Sequence, residues 1–207
     1  MKNSPLLPRR RGFTLVELLV VIAIIATLAS LGFVVGNKAI KQARKLQSKT
    51  DLINICGAVE GYRADNNGIY PDVTSNGAGL EVDTDDTHLI LDGTADAERL
   101  IRALCAEETE SDKLNRRETV YLAKKQAKAS GKDGIDLAGT YSYKDYWGNP
   151  FHVIIDTNYD DELTNPLDRG DDVPIRKGVI GIGQGTSMSL ELPIETAELK
   201  DIVTSWD

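Results

Sequence analysis

The chain has 207 residues, 41% hydrophobic and 27% charged, which is enough for one membrane segment and one modest globular domain. The formal net charge is −8, but residues 1–12 carry four basic side chains and no acidic one, so removing them leaves −12 for residues 13–207. A body this acidic argues against nucleic-acid binding, which requires a Lys- and Arg-rich surface that displaces counterions from phosphates.

A basic leader precedes a long apolar run near the N-terminus. Residues 18–37 contain no charged side chain, and a helix of that length rises about 30 Å, the thickness of the bilayer core. By the positive-inside rule, the leader cations predict a cytoplasmic N-terminus with the rest of the chain across the membrane. We therefore expect a cytoplasmic leader at residues 1–12 and a transmembrane helix at residues 13–36. Conventional signal-peptide cleavage within the Ala-rich residues 23–29 is the alternative.

The helical pattern continues beyond the apolar run. Small or apolar side chains recur at helical spacing at Ile40, Ala43, Leu46, Thr50, Ile53 and Cys56 or Gly57. Five basic side chains surround this stripe within residues 38–49. We expect one long helix over residues 13–64. Its amphipathic second half, within residues 37–66, would lie on a globular domain formed by residues 67–207.

The remainder of the chain predicts an α+β domain. Residues 72–95 are polar and rich in turn formers, which indicates a long loop. Residues 95–108 have the spacing of a short amphipathic helix, and residues 115–130 are expected to be irregular or helical. The β-branched content of residues 151–155 and 175–182 predicts strands. The order predicts a long helix packed on a small domain with short helices and an antiparallel β-sheet.

An acidic loop between the two predicted strands could hold a hard cation. Asp156, Asn158 and Asp160 alternate as the first ligands of an EF-hand loop do. The pattern then breaks, because Asp161 stands where the tight-turn glycine belongs. Carboxylates gathered in one loop repel each other without a cation, which favours a metal over a solvated acidic loop. The candidate calcium ligands are Asp156, Asn158, Asp160, Asp161 and Asp168.

The segment Gly12-Phe13-Thr14-Leu15-Val16-Glu17, after the basic leader and before the apolar helix, closely resembles the processing and methylation signal of type IV prepilins and type II secretion pseudopilins. Residues 62–71 are similar to the helix end of the major pseudopilin, with a Tyr, an Asn/Gly turn and a Tyr-Pro. Residues 145–151 resemble its Trp-Gly-Asn-Pro turn, with Tyr146 in place of a proline, and residues 200–206 resemble the Ser-Trp tails of related pseudopilins.

The resemblance implies a filament subunit with a type IV pilin-like fold, and not an enzyme. Prepilin peptidase would cleave after Gly12 and methylate the new amine of Phe13, and Glu17 would pair with the Phe13 amine of an adjacent subunit. The implied location is the bacterial inner membrane, with a single span and a periplasmic C-terminal domain. The implied partners are other copies of the chain, minor pseudopilins, prepilin peptidase, the inner-membrane secretion assembly platform and membrane lipid. The family also implies calcium in the C-terminal loop.

Several alternatives stay open at this point. The chain could be a subunit of a type IV or competence pilus, or a monomeric membrane-anchored module for calcium binding or adhesion. Glu17 could lie hydrated at the headgroup level. Cys56 and Cys105 could pair outside the cytoplasm or be packing residues. His88 and His152 lie far apart in sequence, and we expect surface or packing roles for them.

Overall fold

The computed structural model describes residues 13–73, 86–109, 113–128, 131–167, 173–185 and 202–206, without the side chains of residues 31–35. The chain divides into two compact units, Met1–Ala43 and Arg44–Asp207. The helices and strands are α1 (Leu15–Asp65), β1 (Thr87–Ile90), α2 (Ala95–Cys105), β2 (Gly134–Ile135), β3 (Tyr143–Lys144), β4 (Phe151–Ile155), β5 (Val179–Gly183) and β6 (Val203–Thr204). The predicted α+β class, with a long N-terminal helix and an antiparallel sheet, is confirmed.

Helix α1 begins and ends within two residues of the predicted limits. It stops where Asn67 and Gly68 take left-handed backbone angles, with φ of 57° and 82°, and the Gly68 amide donates to the Arg63 carbonyl oxygen at 2.9 Å. Within the described ranges, no helical stretch is both long enough and apolar enough to cross a bilayer. The transmembrane helix at residues 13–36 stays a prediction.

Four strands form one antiparallel sheet in the order β1-β4-β5-β6, and β2 pairs with β3 separately. Strand β1 falls inside the predicted loop of residues 72–95, so that prediction was wrong for these four residues. Strand β5 begins later than predicted because Ile175 exchanges two backbone hydrogen bonds with Leu163, at 2.8 and 2.9 Å, instead of joining the sheet.

Helix α2 confirms the predicted short helix but ends at Cys105, because Ala106 adopts a left-handed conformation with φ of 55°. The described part of residues 115–130 is irregular, which corresponds to one of the two predicted alternatives. Tyr121 and Leu122 both donate their backbone amides to the Leu104 carbonyl oxygen at 2.9 Å. These bonds hold the irregular segment against the end of α2.

One face of the sheet packs on α1 within the Arg44–Asp207 unit. Leu52, Ile55 and Val59 of α1 are fully buried in a core that includes Phe151, Val153 and Ile155 of β4. Gly181 permits this approach, because a Cβ there would lie 2.9 Å from Leu52 Cδ2. The stripe predicted to pack is a different one, since Leu46 and Ile53 are 66% and 49% exposed.

The opposite face of the sheet carries a second, smaller core. Ile154, Ile180 and Ile182 lie on this face and contact the buried side chains of Leu163 and Leu167. The acidic loop therefore starts at the end of β4, a strand with one apolar core on each face. Leu163 and Leu167 attach the loop to the second core.

Candidate functional site

Helix α1 begins with a reciprocal cap between Thr14 and Glu17. The Thr14 amide and hydroxyl donate to Glu17 Oε2 at 2.9 and 2.7 Å, and the Glu17 amide donates to Thr14 Oγ1 at 3.3 Å. This is a capping box, in which two residues three apart satisfy amides that have no partner within the helix. The cap also places a negative charge at the helix N-terminus, where the helix dipole favours it. We did not predict this contact, although Thr-x-x-Glu is its sequence signal.

Of the two residues at the predicted cleavage point, the structure describes Phe13 but not Gly12. Gly12 and the leader lie outside the described residues, so the processing prediction at Gly12 is not addressed by the fold. Phe13 is 75% exposed and lies just before the first residue of the cap. The apolar side chains described between Phe13 and Leu28 are exposed to a similar degree, with Leu15, Val16 and Leu18 among them.

The acidic loop starts at a completely buried carboxylate. Asp156 Oδ2 accepts the Asp161 amide at 3.0 Å, and the Asp156 amide donates to the Gly178 carbonyl oxygen at 2.9 Å. The other oxygen, Asp156 Oδ1, is buried and has no hydrogen-bond partner among the residues that the structure describes. A buried carboxylate oxygen without a partner is energetically costly, and a bound cation would remove that cost.

Asp161 takes the backbone conformation that the missing glycine would have supplied. Its φ is 61°, in the left-handed region that aspartate tolerates better than most residues. Asn158 and Asp160 bond to one another at the loop tip, where the Asp160 amide donates to Asn158 Oδ1 at 2.9 Å. The substitution of Asp161 for glycine therefore does not break the turn.

The described residues do not by themselves complete a cation site. Asp168 lies outside them, and among the residues described no three His, Cys, Asp or Glu side chains form a metal-binding group. The structure brings Asp156 and Asp161 together, whereas Asn158 and Asp160 face solvent and bond to each other. Asp156 fits a cation through its partnerless oxygen, and the rest of the predicted calcium set stays a prediction.

Tyr159 fastens this loop to the segment that follows α1. The Tyr70 amide donates to the Tyr159 hydroxyl at 3.0 Å, and the two rings stack with centroids 5.6 Å apart. Arg63 Nη1 donates to the Tyr70 hydroxyl at 2.8 Å, which in turn donates to Glu60 Oε1 at 3.1 Å. Burial and the Glu60 carboxylate raise the pKa of the Tyr70 phenol, so it remains a donor at neutral pH. No local sequence signal predicts these contacts.

The Trp-Gly-Asn-Pro turn is built around a buried acid, Asp145. Its Oδ1 accepts the amides of Gly148 and Asn149 at 2.8 and 2.9 Å. Burial raises the pKa of this carboxyl group, while the backbone amides partly oppose that shift. The guanidinium of Arg44, from the basic part of α1, lies 3.7 Å from the centre of the Tyr146 ring. The turn thus connects the sheet to α1.

The two cysteines do not form a disulfide. Cys56 is half-buried on α1, Cys105 is buried at the end of α2, and both are free thiols. Burial raises the pKa of each to about 11, so both are protonated at neutral pH. Of the two predicted alternatives, packing residues is the one observed.

Comparisons with known proteins identify a known motif around the start of α1. A family profile, the prokaryotic N-terminal methylation motif, matches residues 7–33. The chain is 41% identical over 61 residues to type II secretion system core protein G of Pectobacterium carotovorum subsp. carotovorum, covering 28% of this chain and 38% of that protein. It is 45% identical over 60 residues to the protein of the same name in Klebsiella pneumoniae, covering 28% of this chain and 41% of that protein.

The chain therefore spans about two fifths of the length of the curated relatives it matches. No solved structure gives a significant match. The motif carries the implication of membrane anchoring. The chain thus carries the prokaryotic N-terminal methylation motif ahead of a long helix and an α+β domain, and over 60 or 61 residues it is similar to type II secretion system core protein G.

Proposed function

We propose that this chain is a structural pseudopilin subunit of a type II secretion system. Prepilin peptidase removes residues 1–12 by cutting after Gly12 and methylates the amine of Phe13. The subunits then polymerise with each other and with minor pseudopilins into a periplasmic pseudopilus that drives protein export. The observation that carries the proposal is the methylation motif over residues 7–33, which includes the predicted cleavage point and Glu17.

Membrane insertion of Glu17 requires a compensating partner. A carboxylate near the bilayer centre costs about 2.5–3.5 kcal/mol on insertion scales, and less near the interface. A cation ~4 Å away contributes about 4 kcal/mol at an effective dielectric constant near 20, partly offset by desolvation. In our proposal the partner is the Phe13 amine of the adjacent subunit. This pairing would favour assembly, because each added subunit neutralises one Glu17 charge.

The capping box supports this assignment by fixing where the charge is presented. Thr14 binds Glu17 through Oε2 alone, so Oε1 takes no part in the cap. The capped carboxylate is held in the first turn of α1 rather than extended along its side. This leaves Oε1 able to accept from the amine of a neighbouring subunit without opening the helix.

The Arg44–Asp207 unit also offers a surface for a neighbouring copy. Leu46 and Ile53 leave an exposed apolar stripe on α1, and a Cβ at Gly57 would meet no atom within 4 Å. Beside Ile53 and Gly57 lies a groove of about 530 Å³, also lined by Tyr121 and Leu122. We propose that this face is covered by another subunit in the filament.

Calcium is the second part of the proposal. Asp156, Asn158, Asp160, Asp161 and Asp168 would hold the ion, and calcium would offset the excess of negative charge in the loop. The partnerless Asp156 Oδ1 and the left-handed turn at Asp161 support this. Because Tyr159 bonds to Tyr70, fixing the loop would also fix the end of α1.

We place the first span in the bacterial inner membrane, with the N-terminus in the cytoplasm and the C-terminal domain in the periplasm. Contacts with the inner-membrane assembly platform and with lipid follow from that location. The role is mechanical, without catalysis, and the relatives are named as core proteins of a secretion system. A type IV or competence pilus subunit shares the processing step and differs in the machine it serves.

The test is the intact mass and N-terminal sequence of the chain made with and without a prepilin peptidase. The expected product begins at N-methyl-Phe13 only when the peptidase is present. A Gly12→Leu variant serves as the control, because a side chain before the cleaved bond blocks it. A retained Met1 in both cells, or a cut within residues 23–29, would refute the proposal.

A further inference from the structure

The two histidines of the chain meet in the interior of the sheet. His88 lies on β1 and His152 on β4, and the two residues are only 3% and 1% exposed. His88 Nε2 lies 3.1 Å from His152 Nδ1, and the rings stack with centroids 5.3 Å apart at an interplanar angle of 23°. The predicted surface or packing roles do not include this direct bond between the two imidazoles.

The strand register explains why the rings meet. His88 is opposite Ile154 and Ile90 is opposite His152, so the two histidines are diagonal neighbours on one face of the sheet. This is the face of the second core, away from α1. His152 is in turn opposite Ile182 of β5, and Gln184 follows at the end of that strand. The three polar side chains therefore form a short row across three strands.

Only one proton can lie between His88 Nε2 and His152 Nδ1, the nitrogens that face each other. The Gln184 amide nitrogen lies 2.9 Å from His152 Nε2. When this nitrogen donates, His152 carries its proton on Nδ1, and this N–H donates a hydrogen bond to His88 Nε2. With the amide turned over, the direction of both bonds reverses. In either arrangement, protonating both of the facing nitrogens, His88 Nε2 and His152 Nδ1, would set two N–H groups against each other across 3.1 Å.

The surroundings offer little to stabilise an imidazolium. His88 Nδ1 is buried, and no described residue forms a hydrogen bond with it. The other strand residues described on this face are Ile90, Ile154, Ile180 and Ile182, with Thr204 from β6. Among the described residues, the acids named near the pair are Asp92, in the loop after β1, whose charge favours protonation of His152, and Asp86, two residues before His88. Asp92 is exposed, so solvent screens its effect.

We propose that the His88–His152–Gln184 row is an acid-sensitive lock that holds β1, β4 and β5 together only while both imidazoles are neutral. This inference stands independently of the proposed function. Burial lowers the pKa of both histidines to about 4, compared with about 6.5 for an exposed imidazole. Between these values the unfolded chain binds more protons than the folded one, so stability decreases as the pH falls through this window.

The first test is urea unfolding of the full-length chain in detergent micelles, followed by the fluorescence of Trp147 and Trp206. From about pH 6 to about pH 5, two linked protons raise the unfolding constant by up to about 100-fold, and one raises it by up to about tenfold. His88→Gln places an amide where Nε2 lies and removes one titrating group, so its dependence should be close to tenfold. Glu118→Gln, an exposed acid outside the row, should behave as the wild type.

An equal pH dependence for the wild type and His88→Gln would overturn the lock.

A second measurement uses only the wild type and does not depend on a variant folding. With only two histidines in the chain, ¹⁵N imidazole spectra contain no other signals. Both rings should remain neutral at about pH 5.5, each in one tautomer. Titration of both near pH 6.5, as for exposed histidines, would refute the proposal.

Discussion

The Tyr70 amide donates to the Tyr159 hydroxyl at 3.0 Å, and this bond joins residues that are 89 positions apart. It links the segment after α1 to the acidic loop after β4. The two rings also stack, with centroids 5.6 Å apart. Within the Arg44–Asp207 unit, the acidic loop is thereby joined to the end of α1 through Tyr70 and Arg63.

Tyr159→Phe should destabilise the domain by about 0.5–1.5 kcal/mol, because it removes the acceptor of the Tyr70 amide and keeps the stacked ring. Tyr159→Ala should cost about 0.5–1.5 kcal/mol more through the lost ring contact. Urea unfolding measures both. Tyr146→Phe is the matched control, because its ring rather than its hydroxyl contacts Arg44. A Tyr159→Phe variant as stable as the wild type would contradict the bond.

Glu17→Gln separates the charge of this residue from its cap. The amide oxygen can still accept from Thr14, so the start of α1 should be retained, but the pairing charge is lost. We expect normal cleavage after Gly12 with strongly reduced filament yield, measured by intact mass and by recovery of sheared filaments. Glu17→Ala should give the same result. Wild-type filament yield from Glu17→Gln would show that the cap alone matters.

Calcium should raise the stability of the wild-type chain by about 2.7 kcal/mol at a concentration 100 times its dissociation constant. Asp156→Asn should abolish this gain, because it replaces the buried carboxylate that lacks a partner for Oδ1. Glu118→Gln removes the same charge outside the loop and should keep the gain. Thermal unfolding with calcium, magnesium and chelator measures the effect. Equal unfolding temperatures in all three would dispose of the calcium site.

Gly181→Ala should destabilise the domain by about 1–3 kcal/mol, because the added Cβ would lie 2.9 Å from Leu52 Cδ2 and 3.2 Å from Cys56 Sγ. Shortening the opposed side chain with Leu52→Val should recover part of the loss in a double-mutant cycle. Gly57→Ala is the control, because its Cβ meets nothing and alanine favours the helix by about 1 kcal/mol. Additive costs at Gly181 and Leu52 would contradict direct contact.

The sequence predicted the elements that depend on local pattern. Helix α1 is long and periodic, so its limits were found within two residues. Strand β1 was missed because it has four residues, and its strand character comes from pairing with β4, as in the contact between Thr87 and Ile155. The face of α1 that packs was also missed, because the choice depends on Gly181, more than a hundred residues further along the chain.

The candidate site likewise combines contacts that a local sequence pattern predicts with contacts that depend on distant residues. The Thr14–Glu17 cap follows from four consecutive residues and could have been predicted from them. The burial of Asp156 and the contact of Tyr159 with Tyr70 depend on how β4 is placed against the end of α1, which no local pattern encodes. The bond between His88 and His152 depends on the register of two strands that are 64 residues apart.

The reaction rates of the two free thiols can be used to measure local opening of the Arg44–Asp207 unit. Only the thiolate reacts with alkylating reagents, and with a pKa of about 11 each cysteine is almost wholly protonated while it is buried. Reaction at neutral pH therefore reports exposure. Cys105 reports the end of α2, and Cys56 reports the contact of α1 with β5. The relative labelling rates of these two residues reveal which of the two helices separates first from the rest of the domain.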